Sequence, residues 1–153
     1  MSLSRSFLID NNAAEKGFEF AIGEKNEDGT QPTILIARAG YNNRQYQSGI
    51  AKAYEKFALQ DRAGIDSTLE KAKARIPVIA KHIVKGWANI PLGDVTGEDG
   101  LQGRAFAEGY ADFSPENAIK LFERLPELFA IVEVQSHETS NFLVASREEA
   151  AKN

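Results

Sequence analysis

The chain has 153 residues, 42% hydrophobic and 26% charged, which suffices for one sizeable core. A net charge of −4 and a pI near 5.3 argue against a nucleic-acid binder that relies on an overall basic surface. Without cysteine there is no disulfide, thiolate metal site or cysteine nucleophile. Residues 1–16 are polar apart from Phe7, Leu8 and Ile9 and read as a loose arm or a short edge strand. They hold no apolar run of signal-peptide length, and nothing later approaches about 18 uninterrupted apolar residues, so the expectation is a protein neither secreted nor membrane-spanning. Phe18, Phe20 and Ile22 then alternate with Glu19, Ala21 and Gly23, the pattern of a half-buried strand. Asn26-Glu27-Asp28-Gly29 is turn chemistry, and Thr33 to Ala37 is apolar and rich in β-branched residues behind Pro32. This predicts a β-hairpin with strands 17–24 and 31–39. Its acidic tip, Glu24 to Asp28, fits a solvated turn better than a cation site.

Helical spacing follows. Tyr46, Ile50, Ala53, Tyr54 and Phe57 predict a helix capped by Asn42 or Asn43. Gly64 separates it from a second, where Ser67 and Glu70 form a capping-box pattern. Leu69, Ala72, Ile76, Ile79, Ala80, Ile83 and Trp87 trace one stripe over nearly five turns, with a kink or break expected near Lys73–Ile76 ahead of Pro77. Lys71, Lys73, Arg75, Lys81, His82 and Lys85 crowd this helix; given the acidic total, they read as a solvated face and not a nucleic-acid contact.

Between Trp87 and Phe113, five glycines and Pro91 predict a long irregular loop. Its Leu92, Val95, Leu101, Phe106 and Tyr110 either tuck under the loop or are presented to a partner. Ser114, Pro115 and Glu116 then start a helix as N-cap, first helical residue and dipole-complementing charge. Ala118, Leu121, Phe122, Leu125, Leu128, Phe129 and Val132 continue at spacings of three and four, and Pro126 interrupts without shifting the phase. Two short helices or one kinked helix should press this face, together with Trp87, into the core. The expected fold is α+β and mostly α-helical: an N-terminal β-hairpin followed by about four helices, with a long irregular loop before the last two. A single globular domain is expected over 1–145, with 146–153 a flexible tail or frayed helix.

The chemistry is sparse. Asp94, Thr96, Glu98, Asp99 and Gly100 invite a calcium-loop reading, which fails because the sixth position is Asp99 and the twelfth Ala105. His82 and His137 lack an H-E-x-x-H companion, and there is no G-x-S-x-G, P-loop or dinucleotide fingerprint. No catalytic, cofactor-binding or metal residues are assigned, and the protein is expected to be no enzyme but one that works by surfaces. Apolar residues left over after the core is filled, Phe106 and Tyr110 in the loop and Ile131 and Val134 off the stripe, are candidate protein-interaction positions.

The order Gly86-Trp87, Asp99-Gly100, Phe113-Ser114-Pro115-Glu116-Asn117-Ala118, Leu125-Pro126-Glu127-Leu128 and Asn141-Phe142 resembles the tail assembly chaperones of bacteriophages with long non-contractile tails. The resemblance covers roughly residues 80–142. The loop between Trp87 and Phe113 is longer than that family's pattern. The resemblance implies a phage or prophage protein of the host cell cytoplasm that binds the helical tape measure protein before the tail tube polymerises, and that is absent from the finished virion. It also implies self-association into a spiral or ring. A frameshift-extended form would recruit the tail tube protein. Ala151-Lys152-Asn153 can be encoded as GCA-AAA-AAC, which contains a slippery heptamer, although a polar tail explains the same tripeptide equally well. No cofactor, nucleic acid or membrane enters this reading. The alternative is a structural minor tail or tail-completion protein that stays in the virion; a small enzyme or regulator is disfavoured by the missing site.

Overall fold

Gly29, at φ 87°, turns the chain between two strands in a computed structural model that describes residues 2–152. Phe18–Ala21 (β1) and Thr33–Ile36 (β2) pair antiparallel from Phe18↔Ile36 to Ala21↔Thr33, as the alternation predicts. Ile34 and Ile36 are fully buried on one face of β2. Ahead of the hairpin the chain forms two short helices, Leu3–Phe7 (α1) and Asn11–Lys16 (α2), where a loose arm or edge strand was expected. Asp10 starts α2 because its carboxylate accepts from the N–H groups of Asn12 and Ala13 at 3.0 and 3.2 Å. A single bridge, Ile9↔Leu143, supplies the only pairing of that segment among the described residues.

Beyond the hairpin, Asn43 caps Arg44–Tyr54 (α3) by accepting from the Tyr46 N–H at 3.1 Å. A 3-10 turn leads into Ala58–Arg62 (α4), and Thr68–His82 (α5) follows. The predicted capping box is not formed: Ser67 turns inward and donates to Asp61, while the Asp66 carboxylate accepts from the Thr68 N–H at 2.9 Å. Pro77 lies inside α5 without breaking it. Ile76, Ile79 and Ala80 are buried on either side of the proline, and their packing holds the helix through the missing hydrogen bond.

The main correction concerns Trp87. The helix stops at His82, and Val84–Ala88 forms a third strand (β3) antiparallel to β2, completing the sheet order β1-β2-β3. Ile83 and Trp87 fit helical spacing by coincidence. Without β3 the second edge of β2 would be left with unpaired backbone groups beside a buried face, and a short run such as Val84-Lys85-Gly86-Trp87-Ala88 supports either period. Trp87 is therefore a half-buried sheet residue packed against the core, not a residue of the helical stripe.

The remaining elements are Leu92–Thr96 (α6), Pro115–Arg124 (α7), Pro126–His137 (α8), a 3-10 turn at Thr139–Phe142, and Val144–Lys152 (α9). The Ser114 hydroxyl accepts from the Asn117 N–H at 3.0 Å, and Pro115 and Pro126 each open a helix, so the break at Leu125 falls where the sequence places it. Ala118, Leu121, Phe122, Phe129 and Val132 are buried, with Leu125 and Leu128 partly so. The overall class is α+β and mostly helical, with one small antiparallel sheet. Arg147 of α9 lies 3.0 Å from Asp10, and Glu149 lies 2.6 Å from Arg5. Asn153, the end of the expected tail, lies outside the described residues.

Phe129 packs on Phe122 with ring centroids 5.5 Å apart. Phe129→Ala should cost about 3–5 kcal/mol of stability, read as a lowered denaturation midpoint with an unchanged slope.

Candidate interaction surface

The long segment between β3 and α7 is folded back on itself. Ala111 donates its N–H to the Ile90 carbonyl at 2.8 Å, and Leu92 donates to Gly109 at 2.9 Å, so the segment leaves and returns through one neck. Trp87 secures that neck: its indole N–H donates to the Ala111 carbonyl at 2.8 Å, and Phe113 stands edge-on at 5.3 Å. Inside the segment, Gly93 is required by close approach, because a Cβ there would sit 2.2 Å from the Glu98 carbonyl oxygen.

Two polar staples fix the segment to its neighbours. The first is Arg124, at the end of α7, which donates to Asp99 at 3.0 Å and to the carbonyl of Asp94; Arg104 reaches the same Asp99 carboxylate at 3.2 Å. The Leu101 backbone N–H, followed by Arg124, holds the Asp99 carboxyl below its ordinary range. The second staple joins the loop to the hairpin tip. Tyr110 donates to Asp28, which also accepts from the Thr30 hydroxyl at 2.6 Å, and these bonds from Thr30 and Tyr110 keep Asp28 ionised to lower pH than usual. Alongside, the Asn26 amide donates to the Asn89 carbonyl at 3.0 Å, and the Asn89 amide donates to Gln31 at 3.1 Å.

The loop's apolar residues divide between the two fates open to them. Val95 is buried and Leu92 half-buried beneath α7, whereas Leu101, Phe106 and Tyr110 are exposed, Phe106 at 67%. Ile131 and Val134 are also exposed, three residues apart on α8, opposite the buried Phe129, Val132 and Ser136. The four proposed interaction positions thus form two groups, one on the loop and one on α8. Among the described residues no hydrogen bond or aromatic contact links them. The Arg75 guanidinium holds α8 to α5 through a two-point pair with Glu133 at 2.7 and 3.0 Å and a further bond to the Tyr54 hydroxyl.

Between the hairpin tip and the α7–α8 joint runs a groove of about 300 Å3. Ile22, Pro32, Ile90, Leu121, Leu125 and Leu128 wall it, and the acidic residues Glu24 and Asp94 also line it. Burial raises the Asp94 carboxyl above its ordinary value, against the opposing pull of Arg124. Sequence reasoning placed Leu125 and Leu128 in the core and did not find the groove. Its walls come from four separate segments of the chain, and no spacing announces their meeting. Among the described residues no group of three or more His, Asp or Glu side chains is placed to hold a metal ion. No helix there is long and apolar enough to cross a membrane. What this surface offers is apolar area bordered by acidic residues.

The family described as YdaY prophage protein matches residues 41–153, which include every element from α3 onward and leave the hairpin outside. No curated protein and no solved structure matches the chain.

Arg124→Met removes the cation shared by Asp99 and the Asp94 carbonyl while keeping the aliphatic stem. It should release the loop around Arg104, read as trypsin cleavage after Arg104 at least about tenfold faster than in the unaltered chain, with little change in far-UV circular dichroism.

Proposed function

The chain belongs to the YdaY prophage protein family and is a protein of phage origin; from that premise we propose that it is a phage tail assembly chaperone. In this reading it binds the tape measure protein in the host cell cytoplasm, promotes tail tube assembly without catalysing a reaction, and is absent from the mature virion. The observation that supports it best is the apolar groove between the hairpin tip and the α7–α8 joint. Such a groove takes apolar side chains that recur every three or four residues on a client helix. Glu24 and Asp94 favour a lysine or arginine beside those anchors.

One groove of this size grips a client weakly. Several copies lined along a rod-like helix grip it firmly, because each added site is an intramolecular event at high effective concentration. Self-association in a spiral or ring therefore belongs to the proposal. Phe106, Tyr110, Ile131 and Val134 supply its apolar contacts. A longer form, made by a −1 frameshift at Ala151-Lys152-Asn153, would bring the tail tube protein to the same assembly.

Coexpression with the tape measure protein of the same prophage should yield a complex that copurifies. Leu128→Lys, in the half-buried wall of the groove, should lower the captured tape measure at least about tenfold while the chain stays folded. Purified virions that retain the protein in stoichiometric amount would instead identify a structural tail component. The frameshift has its own check in the gene. Codons GCA-AAA-AAC at Ala151-Lys152-Asn153 followed by an open −1 frame are expected, and any other codons at Ala151-Lys152 exclude slippage there.

A further inference from the structure

The two ends of β2 carry opposite charge. At the end that begins with Thr33 stands the hairpin tip, where Glu24, Glu27 and Asp28 are exposed against a single cation, Lys25. Past the Ile36 end opens a cleft of about 570 Å3, within the range of roughly 300–1,000 Å3 typical of ligand pockets. Arg38, Arg44 and Lys85 line it against a single carboxylate, Glu15, and the amides of Asn42 and Gln45 border it. The sheet register explains why these cations meet. Ile36 pairs with Val84, which brings Lys85 to the end of β2 that Arg38 leaves, and Arg44 opens α3 immediately beyond. Asn43 is not free for a ligand, since it caps α3 and donates to the Arg38 carbonyl. Among the described residues, Glu24, Glu27, Arg38, Arg44 and Lys85 take part in no ion pair.

We infer that the basic cleft of one copy receives the acidic hairpin tip of a second copy, so that the protein assembles head to tail along the direction of its sheet. The contact joins two different surfaces of the same chain. Each copy that docks its tip still offers its own cleft, and the chain of contacts either closes into a ring or continues as a spiral. Apolar area is available on both sides: Tyr110 adjoins the tip through its bond to Asp28, and the exposed Tyr41 lies between two residues of the cleft lining, Gly40 and Asn42. Opposite charges select the pairing and reject tip-to-tip and cleft-to-cleft encounters. This gives a polarity and one pair of surfaces to the self-association proposed above, uses Tyr110 alone of the four apolar positions named there, and rests on that part of the reading.

The experiment is a charge exchange read by sedimentation velocity. The full chain should assemble in low salt, and raising the salt should shift it towards monomer. A tip variant, Glu24→Lys with Glu27→Lys, and a cleft variant, Arg44→Glu with Lys85→Glu, should each raise the apparent dissociation constant at least about tenfold. All four altered residues are exposed, so folding should be preserved, and circular dichroism checks it. Mixing the two variants should restore assembly, because each reversed tip then meets a reversed cleft and each native tip a native cleft. The same four substitutions in one chain provide a second route to rescue that needs no mixing. Monomer at every concentration, assembly indifferent to both reversals, or no rescue by either route would overturn the inference. Tape measure capture by the unaltered chain is scored separately. A monomer that still captures its client sinks the head-to-tail contact and leaves the chaperone reading standing, and charge-dependent assembly without capture does the reverse.

Discussion

Everything else in the molecule depends on burying one face of α7. Ala118, Leu121 and Phe122 are shut off from water between α5, α6 and α8, and Phe122 meets Phe129 across the proline break. Fully burying a side chain of this size contributes roughly 1.5–3 kcal/mol, so this single face outweighs any polar contact on the surface. It also fixes the position of the next residues in the chain. Because Phe122 is locked in the core, Arg124 emerges at a defined point two residues on and reaches the loop carbonyls and Asp99. A helix that packs thus positions the staple that shapes the loop.

The sheet plays the complementary part. Its three strands are short, yet β2 joins two dissimilar neighbourhoods: the hairpin tip with its carboxylates, and the turn into α3 with its cations. A net charge of −4 conceals this separation, since a sum carries no position. The groove that would hold an apolar client opens beside the acidic tip, walled partly by the hairpin and partly by the α7–α8 joint. Client and neighbour would therefore meet the molecule close together.

Polar satisfaction sets a limit on how far the loop can be remodelled. Among the described residues no buried side-chain nitrogen or oxygen lacks a partner. The loop is tied down through bonds that cross between elements: Trp87 to Ala111, Asn89 to Gln31, Tyr110 to Asp28, and Arg124 to Asp94. Each spans a sequence separation of at least 24 residues, so the loop is held as part of the globule and not as a free connection.

The sequence by itself determined the local elements whose signals lie within a few residues of one another. The hairpin followed from two-residue alternation around Asn26 to Gly29, α7 from Ser114-Pro115-Glu116, and the α7–α8 break from Pro126, because capping, turn and proline effects act over one or two turns of chain. The resemblance to tail assembly chaperones read from the motifs between Gly86 and Phe142 pointed to a phage or prophage protein, and the family match over residues 41–153 supports that coarser statement alone. Only the tertiary structure decided that Val84–Ala88 is a strand, since its period was ambiguous and the need to pair the open edge of β2 settled it. It likewise decided that α5 survives Pro77, that Ser67 turns inward, and that Leu125 and Leu128 wall a groove as well as border the core. The charge separation along β2 belongs with these. Arg38, Arg44 and Lys85 are up to 47 residues apart and mean nothing as a pattern until strand register and the start of α3 bring them to one cleft. Short-range chemistry writes itself into neighbouring letters, whereas a surface is made by whichever distant residues the core holds side by side.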